Sequence, residues 1–435
     1  MQLDLLDAGS AILRDVRPDV VIVGGGAIGA SVAFELARRG AAVTLLERGS
    51  HLAAGCSAGN AGLICPSHST PLANPAAVRN GLRWMLKRDS PFYLKPRPAA
   101  LPWLARFLAA ARRAEAAAHV IRRLSVSSLE LHAELAPRID TGFDRRGVLN
   151  VYASEETFAA GRHEAERSGL RFEALDAGQA LALEPALAPR TVGAVYYPDE
   201  AHCDPLRFVR AVGSAAAESG ANIRTGVKAR LRRVNGALVV ETGDGDLSPE
   251  TVVLAAGAWS GRIARAVGVF LPLEGGKGYH VDLEPAASDP RIPTWLQESW
   301  TIATPLPGRL RLAGTLELAG LDLSIDRVRA DAVRRGGVHG LHGIDGRKVV
   351  EVWAGLRPCT PDGLPAIGRP TGLPALILAA GHAMKGTALA PVTGRLVAEL
   401  VANETPSHDL APFSPDRFRP LLRARVSRSW ARPPR

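Results

Sequence analysis

The sequence feature that most limits the possible folds lies in residues 19–47. An apolar, β-branched run at 20–23 is followed by Gly24-x-Gly26-x-x-Gly29, by a segment of helical periodicity and by a second apolar run. This order predicts a βαβ unit with parallel strands. The first glycine allows a tight turn, the second lets the backbone approach a pyrophosphate, and the third packs helix against strand. The sequence therefore predicts an α/β fold with a Rossmann-like dinucleotide-binding domain.

Glu47 ends the second strand of this unit, and a carboxylate at that place binds ribose hydroxyls and disfavours a 2′-phosphate. The glycine motif does not separate FAD from NAD. Two further buried runs end in glycine, near 257 and 381, and an open α/β sheet binds its ligand at the carboxyl ends of its strands. Three such ends, far apart in sequence, favour FAD wrapped by discontinuous segments over an NAD dehydrogenase.

Three other segments have the composition of a flavin and substrate site. Residues 55–62 carry no bulky side chain, so their backbone can pass close to a flat ring. Arg357 lies in a proline-bounded segment, and a guanidinium suits bidentate carboxylate binding. Residues 381–387 predict a strand-to-helix turn whose N–H groups could face developing negative charge on a ring carbonyl.

The net charge of +10 does not indicate a nucleic-acid-binding protein. Residues 416–435 hold seven Arg and one Asp, which places +6 in that segment, and aromatic residues are only 5% of the chain. The four cysteines form no CxxC pair, and no His/Cys cluster is evident, so no metal site is predicted. The amino-terminal residues lack the basic start of a secretory signal, which predicts a cytoplasmic protein.

Residues 80–113 contain eight Lys or Arg against one Asp, interleaved with aromatic and aliphatic side chains. Basic and apolar residues in one segment predict peripheral contact with an anionic membrane surface, here the inner membrane. The alternative is a set of helices that pack on the rest of the protein and present basic outer faces.

Taken together, the segments resemble the FAD-dependent D-amino-acid oxidoreductase family, which contains D-amino-acid dehydrogenase, glycine oxidase and sarcosine oxidase. The resemblance runs in family order from residue 19 to about 402. Its carriers are VVIVGGGAIGASVAFELARRGAAVTLLERG, CSAGNAGLICP, YYPDEAHCDPLRFV, TVVLAAGAWS, EGGKGYHVDL, AGLRPCTPDGLPAIG and LAAGHAMKGTALAPVTGRLVAEL.

The resemblance implies an FAD-binding domain joined to an α+β substrate domain built on a mixed sheet. The expected FAD-binding segments are 17–90, 190–270 and 350–405, the expected substrate-domain segments are 91–189 and 271–349, and residues 406–435 are expected to form a basic, irregular tail.

The resemblance also implies the residues of the site. The catalytic residues would be Arg357, which clamps the substrate carboxylate, Tyr279 and His382. The expected FAD contacts are Gly24, Gly26, Ala27, Ile28, Gly29, Glu47, Arg48, Ser57, Asn60, Ala61, Gly62, Val227, Ala256, Gly257, Gly381, His382, Lys385, Gly386 and Thr387.

Two departures from the family pattern affect these expectations. The position of the cysteine that attaches flavin in the sarcosine-oxidase branch is Gly355 here, so non-covalent FAD is expected. The substrate-contacting tyrosine of glycine oxidase falls in residues 301–305, which contain none. Either Tyr279 or Trp300 takes its place or the pocket differs, which puts glycine in doubt as the substrate.

The resulting hypothesis is a flavoenzyme that oxidises a D-amino acid, or an imino acid such as a D-hydroxyproline, to an imine or 2-oxo acid. Its electron acceptor would be oxygen, a quinone or a partner protein. The alternatives are a glycine or sarcosine-type amine oxidase and an electron-transfer flavoprotein subunit of a larger dehydrogenase.

Overall fold

The computed structural model describes residues 19–75, 89–95 and 97–419, and two large β-sheets organise this part of the chain. Its strands, numbered in chain order, are β1 Val20–Val23, β2 Val43–Leu46, β3 Leu63–Ile64, β4 Phe92–Leu94, β5 Val148–Tyr152, β6 Glu173–Asp176, β7 Gly193–Tyr197, β8 Ala201–His202, β9 Asn222–Arg224, β10 Arg230–Val234, β11 Ala237–Thr242, β12 Gly245–Leu247, β13 Thr251–Leu254, β14 Glu274–Leu283, β15 Thr294–Leu296, β16 Thr301–Leu306, β17 Arg309–Leu318, β18 Val349–Cys359, β19 Ala366–Gly368 and β20 Leu376–Ala380. Its α-helices are α1 Ala27–Ala37, α2 Leu101–Ala110, α3 Ala114–Leu135, α4 Glu155–Ser168, α5 Ala177–Leu183, α6 Pro205–Glu218, α7 Ser260–Ala266, α8 Arg327–Gly340 and α9 Ala390–Val401.

The first large sheet has the strand order β19-β20-β13-β1-β2-β9, and all its pairs are parallel except β19–β20. Its central strand β1 is buried on both faces because alternate side chains point in opposite directions. Val20 and Ile22 pack in the cluster that contains α1, α6 and α9. Val21 and Val23 pack in the cluster that contains α7 and the β10–β11 hairpin.

The second large sheet has the order β18-β14-β17-β16-β15-β5-β7-β6, with β4 paired to β17. Most of its pairs are antiparallel. Helix α8 covers part of one face, where Val333 packs with Leu310 and Leu312. A parallel and a mixed sheet in one chain confirm the predicted fold class.

Two short sequence motifs have the backbone geometry that is typical of them. Asp204 caps α6 by accepting from the N–H groups of Leu206 and Arg207, as an Asp-Pro helix start predicts. Asn235 and Gly236 both have positive φ between β10 and β11, which is the geometry of a type I′ turn.

Two strands that lie within the expected FAD-binding segments belong to the larger sheet. Gly193–Tyr197 and Val349–Cys359 were expected in FAD-binding segments, and both lie in the larger, mixed sheet. An apolar strand pattern does not show which sheet the strand joins, because pairing partners are distant in sequence. The division into two domains stays a proposal.

The expected irregular tail contains short turns and buried side chains at residues 411–419. Ala411–Phe413 and Pro415–Phe418 form short 3₁₀ turns, and Phe413 and Phe418 are buried. The guanidinium of Arg417 pairs with Asp362 at 2.8 Å, which ties the segment to the loop after β18. Residues 420–435 lie outside the described residues.

Candidate active site

The turn between β1 and α1 has the close packing that its glycines predict. A Cβ on Gly29 would overlap the carbonyl oxygen of Gly24. Gly26 precedes α1 without a side-chain cap, and the first turn of the helix carries no acidic residue. The Ser57 hydroxyl accepts from the N–H of Ala27 at 3.0 Å. This helix start therefore offers N–H groups and a positive dipole end to a phosphate without a competing carboxylate.

Glu47 lies buried at the carboxyl end of β2, beside the glycine turn. Its two carboxylate oxygens accept from the N–H groups of Gly25 and Gly49, each at 2.7 Å. Next to it, the Arg48 guanidinium lies 3.6 Å from the ring centroid of Trp259. These contacts fix the carboxylate at the place where the βαβ pattern predicts a ribose contact.

A cavity of about 990 Å³ lies between the glycine turn and the larger sheet. Most of the residues predicted as FAD contacts or catalytic groups line it together. These lining residues are Gly24, Gly26, Ala27, Ile28, Glu47, Arg48, Ser57, Asn60, Ala61, Val227, Ala256, Gly257, Tyr279, Arg357, His382, Lys385, Gly386 and Thr387. Gly29, Gly62 and Gly381 do not line the cavity. Contact with FAD stays a prediction for each of them.

Arg311 holds the loop 55–62, and the sequence analysis did not identify it. Its guanidinium makes two 2.8 Å hydrogen bonds to Asp282. Its Nη1 also donates to the carbonyls of Ala58 at 2.6 Å and Asn60 at 3.0 Å. Both charged residues are buried. The larger sheet therefore fixes the backbone of the loop that lines the cavity.

Further contacts from the larger sheet complete this clamp. The Thr304 hydroxyl donates to the Ala61 carbonyl at 2.8 Å. The ring of His280 stacks on Trp353 and lies with Nδ1 3.3 Å from the Gly59 carbonyl. A Cβ on Gly59 would overlap the Trp353 ring, which explains the missing side chain at that position.

One cluster of metal-ligand residues occurs among the described residues. His280, Asp282 and Glu351 each have a ligand-type atom within 4.8 Å of the others. Asp282, however, already binds the guanidinium of Arg311 and lies 3.1 Å from Nε of Arg309. Two cations beside this carboxylate oppose a third, so the arrangement is an ion-pair network and a poor metal site.

Arg357 enters the cavity wall from β18. Its Nη1 donates to the Thr315 carbonyl at 2.8 Å, and a Cβ on Gly278 would overlap the guanidinium. No carboxylate lies within 4.0 Å of it among the residues that the structure describes. Burial lowers the pKa of Arg357. The side chain is a half-buried cation without an acidic partner among the described residues, which favours anion binding.

Tyr279 also lines the cavity, and a charged network behind it fixes its phenol. The hydroxyl donates to Glu317 Oε2 at 2.8 Å. The same carboxylate lies 3.5 Å from Nζ of Lys277 and 3.6 Å from Nε of Arg329. Burial, together with the acceptor Glu317, raises the pKa of Tyr279. Tyr279 is therefore a neutral hydrogen-bonding group at physiological pH.

The strand-to-helix turn after β20 places four predicted residues at the cavity: His382, Lys385, Gly386 and Thr387. The ring of His382 is buried, and its Nε2 lies 3.0 Å from the Thr393 hydroxyl of α9. Burial lowers the pKa of His382 to about 3, so the imidazole is neutral. Burial also lowers the pKa of Lys385, whose Nζ lies 3.5 Å from the Cys65 carbonyl. The buried Thr387 hydroxyl has no hydrogen-bond partner among the described residues.

The β5 and β15 strands contribute Asn150 and Trp295 to the wall of the same cavity. His68 lies there, with Nε2 2.9 Å from the Asn150 side-chain oxygen and its ring edge-on to Trp295. Burial and the nearby charge of Lys385 lower the pKa of His68 to about 3. This part of the cavity wall is therefore polar and aromatic, with an uncharged imidazole.

The residues present fit FAD. A helix start without acidic residues in its first turn suits the pyrophosphate, a buried carboxylate at the end of β2 suits a ribose, and a loop without bulky side chains suits a flat ring. The Thr387 hydroxyl is buried and has no partner in the part of the chain that the structure describes, so it is a polar group that a ligand would satisfy.

The family model for DAO, described as FAD dependent oxidoreductase, matches residues 19–400. The chain belongs to this family, and it is a flavoenzyme with FAD as its cofactor. It is 34% identical over 424 residues to a D-amino acid dehydrogenase of Paramagnetospirillum magneticum, covering 93% of this chain and 99% of that protein. It is 32% identical over 417 residues to a D-amino-acid oxidase of Bradyrhizobium diazoefficiens, covering 92% and 98%.

Solved structures give the same family. A glycine oxidase from Geobacillus kaustophilus aligns with a TM-score of 0.76 at 27% identity, covering 93% of this chain and 100% of that one. An L-proline dehydrogenase from P. horikoshii aligns with a TM-score of 0.70 at 22% identity, over 92% and 98%, which shows the shared fold. Among the described helices, none has the length and apolar character needed to cross a membrane.

Proposed function

We propose that the protein oxidatively deaminates a D-amino acid or a cyclic D-imino acid. Bound FAD would accept a hydride from the substrate Cα, while a proton leaves the amine. The resulting imine takes up water and gives a 2-oxo acid, with ammonia as the second product when the substrate is a primary amine. The D-amino acid dehydrogenase and D-amino-acid oxidase relatives support this substrate class.

The observation that carries the proposal is the half-buried guanidinium of Arg357 in the cavity wall, which has no acidic partner within 4.0 Å among the residues that the structure describes. A carboxylate supplies the anion that this position lacks, and a bidentate contact fixes both the position and the rotation of the substrate. Tyr279 lines the same cavity, and because its O–H donates to Glu317 its oxygen is left as a neutral acceptor. The roles of these residues are binding and orientation, which supply much of the rate in such reactions.

The test is anaerobic mixing of the purified holoenzyme with a panel of single amino acids. The panel contains D- and L-enantiomer pairs, D-hydroxyproline, glycine and sarcosine, and the readout is loss of flavin absorbance. Reduction by D-amino or D-imino acids, with their L-enantiomers inactive, is the expected result. Reduction by glycine and sarcosine alone would favour the amine-oxidase alternative, and no reduction by any member would favour an electron-transfer subunit.

The cavity favours a substrate with a side chain over glycine. His68, Asn150 and Trp295 line the same cavity as Arg357 and add to its volume of about 990 Å³. The strand Thr301–Leu306 contributes no tyrosine at the place expected for glycine oxidase. Neutral polar and aromatic groups in the cavity wall suit an uncharged side chain or ring.

The described part of the predicted membrane segment gives a mixed result. Trp103 and Phe107 of α2 are buried against the larger sheet, so these aromatic residues are part of the core. Leu101 and Leu108, on the same helix, are exposed. Residues 80–88 and Pro96 lie outside the described residues.

We propose a revised peripheral contact surface formed by Leu101, Leu108 and the loop 321–325. Leu321, Leu323 and Ile325 of this loop are exposed, and Lys95 lies beside it with Nζ 3.6 Å from Asp322. Apolar side chains near basic groups suit an anionic lipid surface. Sedimentation with phosphatidylglycerol vesicles at low salt should carry the protein down, whereas Leu101→Glu/Leu323→Glu should not sediment. Equal behaviour of both proteins would contradict this surface.

A further inference from the structure

Thr315 combines two unusual properties at the cavity wall. Its φ is +54°, a left-handed conformation that is strained for a β-branched residue. The residue is 7% exposed, and its buried hydroxyl has no hydrogen-bond partner among the described residues. Strain and an unpaired buried polar group at one residue are typical of a position that serves a ligand.

A β-bulge produces this geometry. Between β14 and β17 the register shifts, so that Lys277 pairs with Glu317 and Tyr279 pairs with Gly314. Thr315 and its successor therefore oppose the single residue Gly278, as in a bulge. The bulge turns the Thr315 carbonyl onto the guanidinium of Arg357, which donates to it at 2.8 Å.

The contact with Arg357 is made by the Thr315 carbonyl, and it places residue Thr315 beside the proposed carboxylate site. Both residues line the main cavity, and Thr315 also borders a smaller cavity of about 370 Å³. A hydroxyl can donate one hydrogen bond to a carboxylate oxygen, which would satisfy the buried group. Trp300 also has a left-handed backbone, with φ of +52°. It lies just before β16, whose first residue, Thr301, pairs with Gly314 of β17.

We propose that the Thr315 hydroxyl donates to the substrate carboxylate, as a second anchor beside Arg357. This inference rests on the proposed function. The hydroxyl restricts rotation of the carboxylate about the guanidinium, which aligns the substrate Cα more tightly than Arg357 does alone.

The test compares Thr315→Val with Thr315→Ser in the holoenzyme. Valine keeps the β-branched shape and removes the hydroxyl, whereas serine keeps the hydroxyl. A hydrogen bond to a charged group predicts that Thr315→Val raises the substrate KM and the Kd of the non-reacting 2-oxo acid product about tenfold or more. Thr315→Ser should stay within about threefold of wild type.

Thermal stability separates a binding role from a structural one. If the hydroxyl has no partner in the folded protein, Thr315→Val keeps or raises the Tm, because an apolar group replaces an unsatisfied polar one. A lower Tm with unchanged ligand Kd would overturn the inference and indicate an internal hydrogen bond. An unchanged Kd and KM in Thr315→Val would also overturn it.

The wild-type protein distinguishes this inference from the proposed function. If the wild type is not reduced by any D-amino or D-imino acid, the proposed function fails. If the wild type is reduced and Thr315→Val binds a carboxylate ligand normally, only the role of Thr315 fails. As a control, an amino-acid amide lacks the carboxylate, so its weaker binding should be insensitive to Thr315→Val.

Discussion

Arg357→Ala is the substitution with the clearest expected effect. The guanidinium lies in the cavity wall with one described hydrogen bond, to the Thr315 carbonyl, and no acidic partner within 4.0 Å among the described residues. A carboxylate bound there makes charge-assisted hydrogen bonds worth about 1.5–3 kcal/mol, which corresponds to roughly ten- to 150-fold in affinity. We expect Arg357→Ala to raise the substrate Kd by at least that factor.

The rate of flavin reduction should fall as well, since a lost bidentate contact lets the substrate Cα rotate. Arg357→Lys keeps a charge but not the fork, so its loss should be intermediate. The assay is anaerobic stopped-flow reduction over a range of substrate concentrations, which separates the Kd from the limiting rate. Arg171→Ala, at an exposed arginine far from the cavity wall, is the matched control.

The flavin spectrum and the Tm must remain close to wild type for this result to bear on substrate binding. A variant that loses FAD would report a cofactor defect. Near-normal reduction of Arg357→Ala by every active amino acid would refute the reasoning, because the carboxylate would then bind elsewhere.

Three further outcomes follow from the contacts described. Acid precipitation should release FAD into the supernatant, and chromophore that stays in the pellet would contradict non-covalent binding. Gly26→Val should yield apoprotein, because the valine side chain would meet the Ser57 hydroxyl and block the approach of the phosphate. Arg311→Leu should lower the free energy of unfolding by about 3 kcal/mol, because it leaves Asp282 with less charge compensation. It should also weaken FAD binding, because it removes the donor to loop 55–62. Denaturant unfolding measures the first effect and FAD titration the second, and an unchanged FAD affinity would argue against the clamp. Burial raises the pKa of Glu200 to about 7, so the folded state holds the carboxyl proton more tightly than the unfolded state does. The free energy of unfolding should therefore fall by up to about 3 kcal/mol as pH rises from about 4.5 to 7. Urea titrations at several pH values should show a flatter decline for Glu200→Gln, and an equally steep decline would exclude Glu200 as its cause.

Sequence could predict the features whose causes are short-range. The strand, glycine turn and helix of residues 20–37 are specified by neighbours, and so are the Asp204 cap and the turn at Asn235. These patterns depend on a few consecutive side chains and on backbone sterics. They located one side of the cavity correctly.

Sequence did not predict the features that depend on distant pairing. Arg311 and Asp282 are 29 residues apart, and they meet because β17 pairs with β14. The two-residue spacing of His280 and Asp282 in an alternating strand gave a signal that they share a face, but not what that face contacts. Thr315 gave no local signal, since a bulge in a strand pair depends on both strands.

The order of strands in the first large sheet has a consequence for biosynthesis. The neighbours of β1 are β2 and β13, and β13 in turn needs β20. Strand β13 begins at residue 251, 205 positions after β2 ends at 46. At the usual rates of translation, roughly 10 to 40 seconds pass before β13 is made. During that time one edge of a four-residue, wholly apolar strand has no partner, and such edges recruit other chains. A ribosome-bound chaperone that covers this edge during synthesis would therefore raise the yield of folded protein.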